Sequence, residues 1–166
     1  MSTVGTAMGI NITQVSTTQL APLGFIHADP ASVNQSIASQ GAKAWIYVKA
    51  GAALAPGDVC VRAAGQPNYG IPDVAATGPI LCAAGDDTAR VVGVAQHAIP
   101  QNSYGFIQRT GIGNVTVTSS TADAGLICAA GGDGQPAAAI TDKSFATALI
   151  TAGAPAVVPA WLQCTG

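Results

Sequence analysis

The pattern of apolar and polar positions is organised around the stretch from Arg90 to Gly111. That stretch predicts two strands around a short turn, since period-two alternation is the signature of a half-buried strand. Val92, Val94 and Gln96 fall on one face, and Val91, Gly93, Ala95 and His97 on the other. Pro100-Gln101-Asn102-Ser103 supplies turn chemistry. Tyr104, Phe106 and Gln108 then share a face of the second strand.

The same pattern recurs elsewhere. Trp45, Tyr47 and Lys49 alternate with Ala44, Ile46 and Val48, and Val59-Cys60-Val61-Arg62 comes after the loop ending at Pro56-Gly57-Asp58. Gly111-Ile112-Gly113-Asn114 reads as a turn, and Asn114 to Thr118 as a strand with Thr on its open face. Gly131 to Pro136 reads as another turn. Two last strands are expected at Phe145–Ile150 and Ala156–Gln163, with Phe145, Thr147 and Leu149 on one face of the first. Pro159 lacks a ladder donor, which places the final strand at an edge or on a bulge. Gly78–Gly85 echoes Gly125–Gly131, with Gly57–Gly65 a looser copy. Short glycine-bounded copies at uneven spacing fit strand punctuation better than a solenoid or a duplicated half-barrel.

Residues 1–40 differ. They are rich in Ser, Thr, Gln and Asn, and their one apolar run, Leu23-Gly24-Phe25-Ile26, is bracketed by Pro22 and Pro30. They are expected to form an extended or loosely packed N-terminal arm, with a helical turn near residues 30–39 where Asp29-Pro30 resembles a cap. The remainder, 41–166, is then an all-β body, a small β-barrel or β-sandwich of about 8–10 short strands.

Composition sharpens this picture. The chain is 49% hydrophobic but only 8% charged, against about 25% for an ordinary domain. Its eight acids are all Asp, and it has three Lys. Glu and Lys, which favour helix surfaces, are scarce, while 20 Gly and 10 Pro favour turns. An apolar surface so poor in ions is suited to a partner. A net charge of −2 without a basic cluster argues against nucleic-acid binding. No long apolar run predicts a membrane span, and Met1-Ser2-Thr3-Val4 lacks the features of a signal peptide. Cytoplasmic assembly is the expectation. Cys60, Cys82, Cys128 and Cys164 have no Cys-x-x-Cys spacing, and read as small buried residues rather than as disulfides or zinc ligands.

Candidate chemistry is thin. His97 beside an acid such as Asp123, or His27 beside Asp29, falls short of a nucleophilic constellation. Gly111-Ile112-Gly113-Asn114 lacks the third glycine and the helix of a phosphate loop. Gly85-Asp86-Asp87 and Gly132-Asp133-Gly134 are turn dipeptides before they are calcium ligands. Asn114-Val115-Thr116 fits a glycosylation acceptor but no secretion signal accompanies it. No catalytic residue, cofactor or metal is expected. Trp45 and Trp161 suit either an interface or the core.

Four pieces carry a resemblance: Pro22-Leu23-Gly24; Ala44-Trp45-Ile46-Tyr47-Val48-Lys49-Ala50 with Leu54-Ala55-Pro56-Gly57-Asp58; Val92-Gly93-Val94-Ala95 with Ala98-Ile99-Pro100; and Tyr104-Gly105-Phe106-Ile107-Gln108 running on to Gly111, completed by Ala124-Gly125. Together they resemble small virion proteins of tailed bacteriophages, of the capsid decoration (cement) or minor head protein type. The resemblance implies a structural protein on the outside of an assembled capsid that stabilises it. It also implies a homotrimer that bridges major capsid protein subunits, with an extended terminal segment reaching neighbours. Leu23, Phe25, Ile26, Trp45, Tyr69 and Tyr104 are the expected contact residues. An arm that orders only on docking could be deleted over residues 2–30 without unfolding the body. Other readings are a head-fibre base, tail or other virion adhesion module that binds a host surface or carbohydrate, and a small hydrolase using His97.

Overall fold

The computed structural model describes residues 6–7, 9–29, 42–61, 80–81, 91–117, 125–130, 133–137, 144–153 and 156–164. Every regular element among them is a strand, as the composition predicts. In chain order these are β1 (Thr6–Ala7), β2 (Ile10–Asn11), β3 (Ile26–Asp29), β4 (Lys43–Lys49), β5 (Val59–Val61) and β6 (Ile80–Leu81). They continue as β7 (Val91–Val94), β8 (Tyr104–Val117), β9 (Leu126–Ala130), β10 (Asp133–Ala137), β11 (Ser144–Ala148) and β12 (Ala156–Gln163). The expected helical turn at 30–39, Tyr69, Cys82 and Asp123 lie outside the described residues.

The long strand β8 organises the sheet. Its first half pairs antiparallel with β4 and its second half with β12, and β7 meets it at Gln108. From β12 the sheet runs on through β11 and β9 to β10. A parallel pair, Gly134 with Val117, returns β10 to β8 and closes these five strands into a ring. On the other flank β7 leads to β5 and β6, and β4 carries β3.

Gly111-Ile112-Gly113 is therefore strand, not turn. The chain bends there without breaking. Arg109 is an extra residue between the pairs Trp45–Gln108 and Ala44–Thr110, a bulge that coils the strand. Gly111 comes next but one with φ 88°, a backbone state that strains any residue with a Cβ. The buried Gln108 amide fills the bend, its Nε2 donating to the carbonyls of Thr110 at 3.0 Å and Ile112 at 2.9 Å.

Two more bulges break the alternation. Val92 is unopposed between Cys60–Gly93 and Val61–Val91, so Val92 and Val94 enter different cores. Phe145 is unopposed between Ser144–Cys128 and Ala146–Ile127, so Phe145 and Ala146 are both buried and Phe145 does not share a face with Leu149. Residues 133–136, read as a turn, belong to β10, where Pro136 pairs with Ile127. The final strand is not an edge either, because β12 lies between β8 and β11. Pro159 faces Asn114 in a pair that needs no proline N–H, and its carbonyl accepts from the Leu149 N–H at 2.9 Å.

The sheet encloses three apolar clusters. One, inside the ring and extending to Val59 of β5 and Val91 and Val94 of β7, holds Val115, Val117, Ile127, Phe145, Val158, Ala160 and Leu162. A second lies under β4, β7 and the 50–54 loop, around Ile46, Val48, Leu54, Ile99 and Ile107. The third gathers Trp45, Tyr47 and Phe106 beneath Ile10, Ile12, Ala21 and Leu23. Cys60 and Cys164 are buried in the second and first clusters, matching the reading of cysteine as small core residues at those two positions.

The third cluster corrects the idea of a loose arm over residues 9–29. Four of its buried side chains come from that segment. Ser16 and Tyr104 exchange backbone hydrogen bonds at 3.0 and 2.8 Å, the Leu20 N–H donates to the Tyr47 hydroxyl at 3.1 Å, and β3 pairs with β4. The segment looks polar in sequence because its apolar residues are spaced through turns rather than along one strand. Deleting residues 2–30 would uncover Trp45, Tyr47 and Phe106. The truncated chain is expected to unfold at least 10 °C lower or to aggregate, because burial of each large side chain contributes about 1.5–3 kcal/mol; thermal melts check this.

Gln108→Met keeps the side-chain volume but leaves two carbonyls at the bend without these donors. A loss of about 2–4 kcal/mol is expected in denaturant unfolding, given about 1–3 kcal/mol for each unsatisfied buried group.

Candidate interaction surface

The last strand alternates between two apolar faces. Val158, Ala160 and Leu162 point into the ring, while Val157, Pro159 and Trp161 point out. Register extends the outward face to both neighbours. Trp161 sits between Thr147 of β11 and Ile112 of β8, Pro159 lies opposite Asn114, and Val157 lies opposite Thr116. Leu149 continues the row past Pro159, and Ile150 comes next at the exposed bend. Val157 is 57% exposed and Trp161 38%. Residues 110–117, 144–153 and 156–164 contain no Asp, Glu, Lys, Arg or His. An outward face with an exposed Trp and no ions has the make-up of an interface core.

The described members of the expected contact set fall elsewhere. Leu23 and Trp45 are buried in the third cluster and present no surface, which corrects their place in the contact set. Phe25 and Tyr104 are half-buried against the same cluster, with Phe25 edge-on to Phe106 at 6.5 Å and Tyr104 stacked on Tyr47 at 6.3 Å. Lys49 Nζ lies 5.8 Å from the Tyr104 ring centre. Ile26 is exposed on β3, with Leu20 also exposed on the lead-in. The described members of the set are thus divided between a core and one exposed strand. The β12 face was readable from Ala156–Gln163, where apolar residues occupy both parities and no charge intervenes.

Among the described residues no group of three His, Cys, Asp or Glu is arranged to hold a metal ion. His97 is half-buried, and burial lowers its pKa from the ordinary value. Its Nε2 is enclosed without a hydrogen-bond partner, so a proton there would lack an acceptor. Trp45 Nε1 is enclosed in the same way.

The sequence matches no protein-family model and no curated protein. Among solved structures, the chain is similar to the N base of the head fibre protein gp8.5 of bacteriophage phi29. The TM-score is 0.50 at 10% identity, over 72% of this chain and 92% of that one. At that identity the likeness is one of fold.

Because the folded state holds His97 with a lowered pKa, it resists protonation more than the unfolded chain does. Its contribution to stability is complete above the unfolded pKa of about 6.5 and is lost as pH falls towards the folded value. The Tm of wild type is expected to drop more steeply than that of His97→Gln from pH 7 to 5. Parallel melting curves give the comparison.

Proposed function

We propose that the chain is a structural protein of a phage head, seated on the outside of the assembled shell as a decoration protein. Its partners are the major capsid protein and further copies of itself, most simply as a trimer at a three-fold position of the lattice. It does no catalysis and takes no cofactor in this role. The observation that carries the reading is the ion-free outward face of β12, together with a fold shared with a phage head-fibre base. A protein that binds the assembled lattice but not dissociated subunits stabilises the lattice by mass action. Apolar contact repeated over many copies supplies that binding without needing charge steering.

The fold likeness also favours a second reading, the base of a head fibre. Both readings place the chain on the virion. They differ in consequence, since a cement raises the heat resistance of the shell, whereas a fibre base marks a few positions and leaves it unchanged.

Particles assembled with wild-type chain or with Val157→Ser/Trp161→Ser, banded on a density gradient, test the proposal. Wild-type chain is expected to co-band, and the double variant to lose at least tenfold in occupancy while keeping its Tm within a few degrees. Wild-type chain recovered wholly apart from particles would overturn it. Heating particles with and without the chain separates cement from fibre base.

A further inference from the structure

Strand β8 has a second side over residues 110–114, where side chains bond the carbonyls of Thr110, Ile112 and Asn114 and the N–H of Asn114. Pro159 fixes which edge is which. It has no N–H, so the Asn114–Pro159 pair cannot be one in which both partners exchange backbone bonds. Asn114 and its even-numbered neighbours therefore turn their backbone groups away from β12.

On that side two glutamines take the place of a strand. Gln108 Nε2 donates to the carbonyls of Thr110 and Ile112. Gln96 forms a two-way pair with Asn114: its Nε2 donates to the Asn114 carbonyl at 3.0 Å, and its Oε1 accepts from the Asn114 N–H at 3.0 Å. A primary amide offers the same donor and acceptor as a peptide group, so this pair reproduces one rung of a ladder. At the next even position the Gly57 carbonyl accepts from the Thr116 N–H at 2.9 Å. Gly57 itself has φ 93°, and a Cβ there would lie 2.9 Å from the Thr116 nitrogen, so only glycine lets the loop approach. Gly113 serves Gln108 similarly, since a Cβ on it would lie 2.7 Å from Oε1.

We infer that Gln96 is an edge guard: it occupies the rung of β8 at Asn114 that an extended segment of another molecule would otherwise take. An edge strand with open N–H and C=O groups is a template for pairing. The partner it fits is a strand of a second copy of this chain, since every copy carries the same edge and the stretch from 110 to 117 has no charge to repel its equivalent. Gln108 is buried and holds the bend. Gln96 is half-exposed and closes the only one of these rungs that lies at an exposed residue of β8, Asn114. The sealed edge is independent of the outward face of β12 and does not rest on the proposed function.

The test uses the full chain with Gln96→Met, which keeps length without the amide, and Gln96→Ala. Both are made in the Val157→Ser/Trp161→Ser background, so that copy-to-copy contact through the outward face does not contribute. Amide exchange by NMR should show Asn114 at least tenfold faster in both variants, with Gly113 and Val115, bonded towards β12, unchanged. Light scattering over a concentration series should show both variants associating where the parent does not. Unchanged protection at Asn114 overturns the inference, and so does faster exchange without association. Gln96→Met that stays protected and unassociated while Gln96→Ala does not would assign Gln96 to packing alone, and overturns it equally.

Discussion

One polar side chain in an apolar setting allows β8 to serve three cores. The strand covers the third cluster with Phe106 and the second with Ile107, then fills the ring with Val115 and Val117. To do so it must bend, and a bent strand turns carbonyls away from any regular partner. A buried carbonyl without a donor costs about 1–3 kcal/mol. Gln108 meets that demand at two carbonyls from within the bend. An apolar residue at position 108 could fill the space but not the hydrogen bonds. The bulge at Arg109 and the positive φ at Gly111 provide the curvature, while Gln108 makes it tolerable inside a core.

Much of this arrangement was legible in the residues. Alternation located β4, β5, β7, β12 and the start of β8, and Asn102, with φ 64° in the turn closed from Ser103 to Pro100, sits where turn chemistry placed it. The three copies of the glycine echo contain β5, β6 and β9; β5 and β6 pair with each other, and β9 pairs with β10 and β11. The departures have a common cause. Alternation assumes period two, and the extra residues Val92, Arg109 and Phe145 each shift the parity of the positions beyond them. A bulge is a property of two strands together, and one strand's sequence does not show its partner's spacing. The lead-in is deceptive for a related reason: Ile10, Ile12, Ala21 and Leu23 become neighbours only after the chain has folded through turns.

Aromatic character is a poor guide to contact residues in this chain. With two Trp, three Tyr and three Phe in all, most of the described rings are needed inside. Trp45 and Tyr47 are buried, and Tyr104 is half-buried. Trp161 is the exception, and its strand explains why. The inward residues of β12 already fill the ring, and its outward Val157 and Trp161 stay exposed among the described residues. The same scarcity of ions that lets strands be apolar on two faces leaves this face apolar and exposed among the described residues.

The proposed virion structural role rests on that exposed face having an occupant. A density map of particles carrying the chain, at a resolution that shows side chains, tests it most directly. Trp161 and Val157 are expected to be pressed against a neighbouring subunit and screened from solvent. An ordered copy on the particle with the β12 face open to solvent, and its contacts made through another surface, would contradict it.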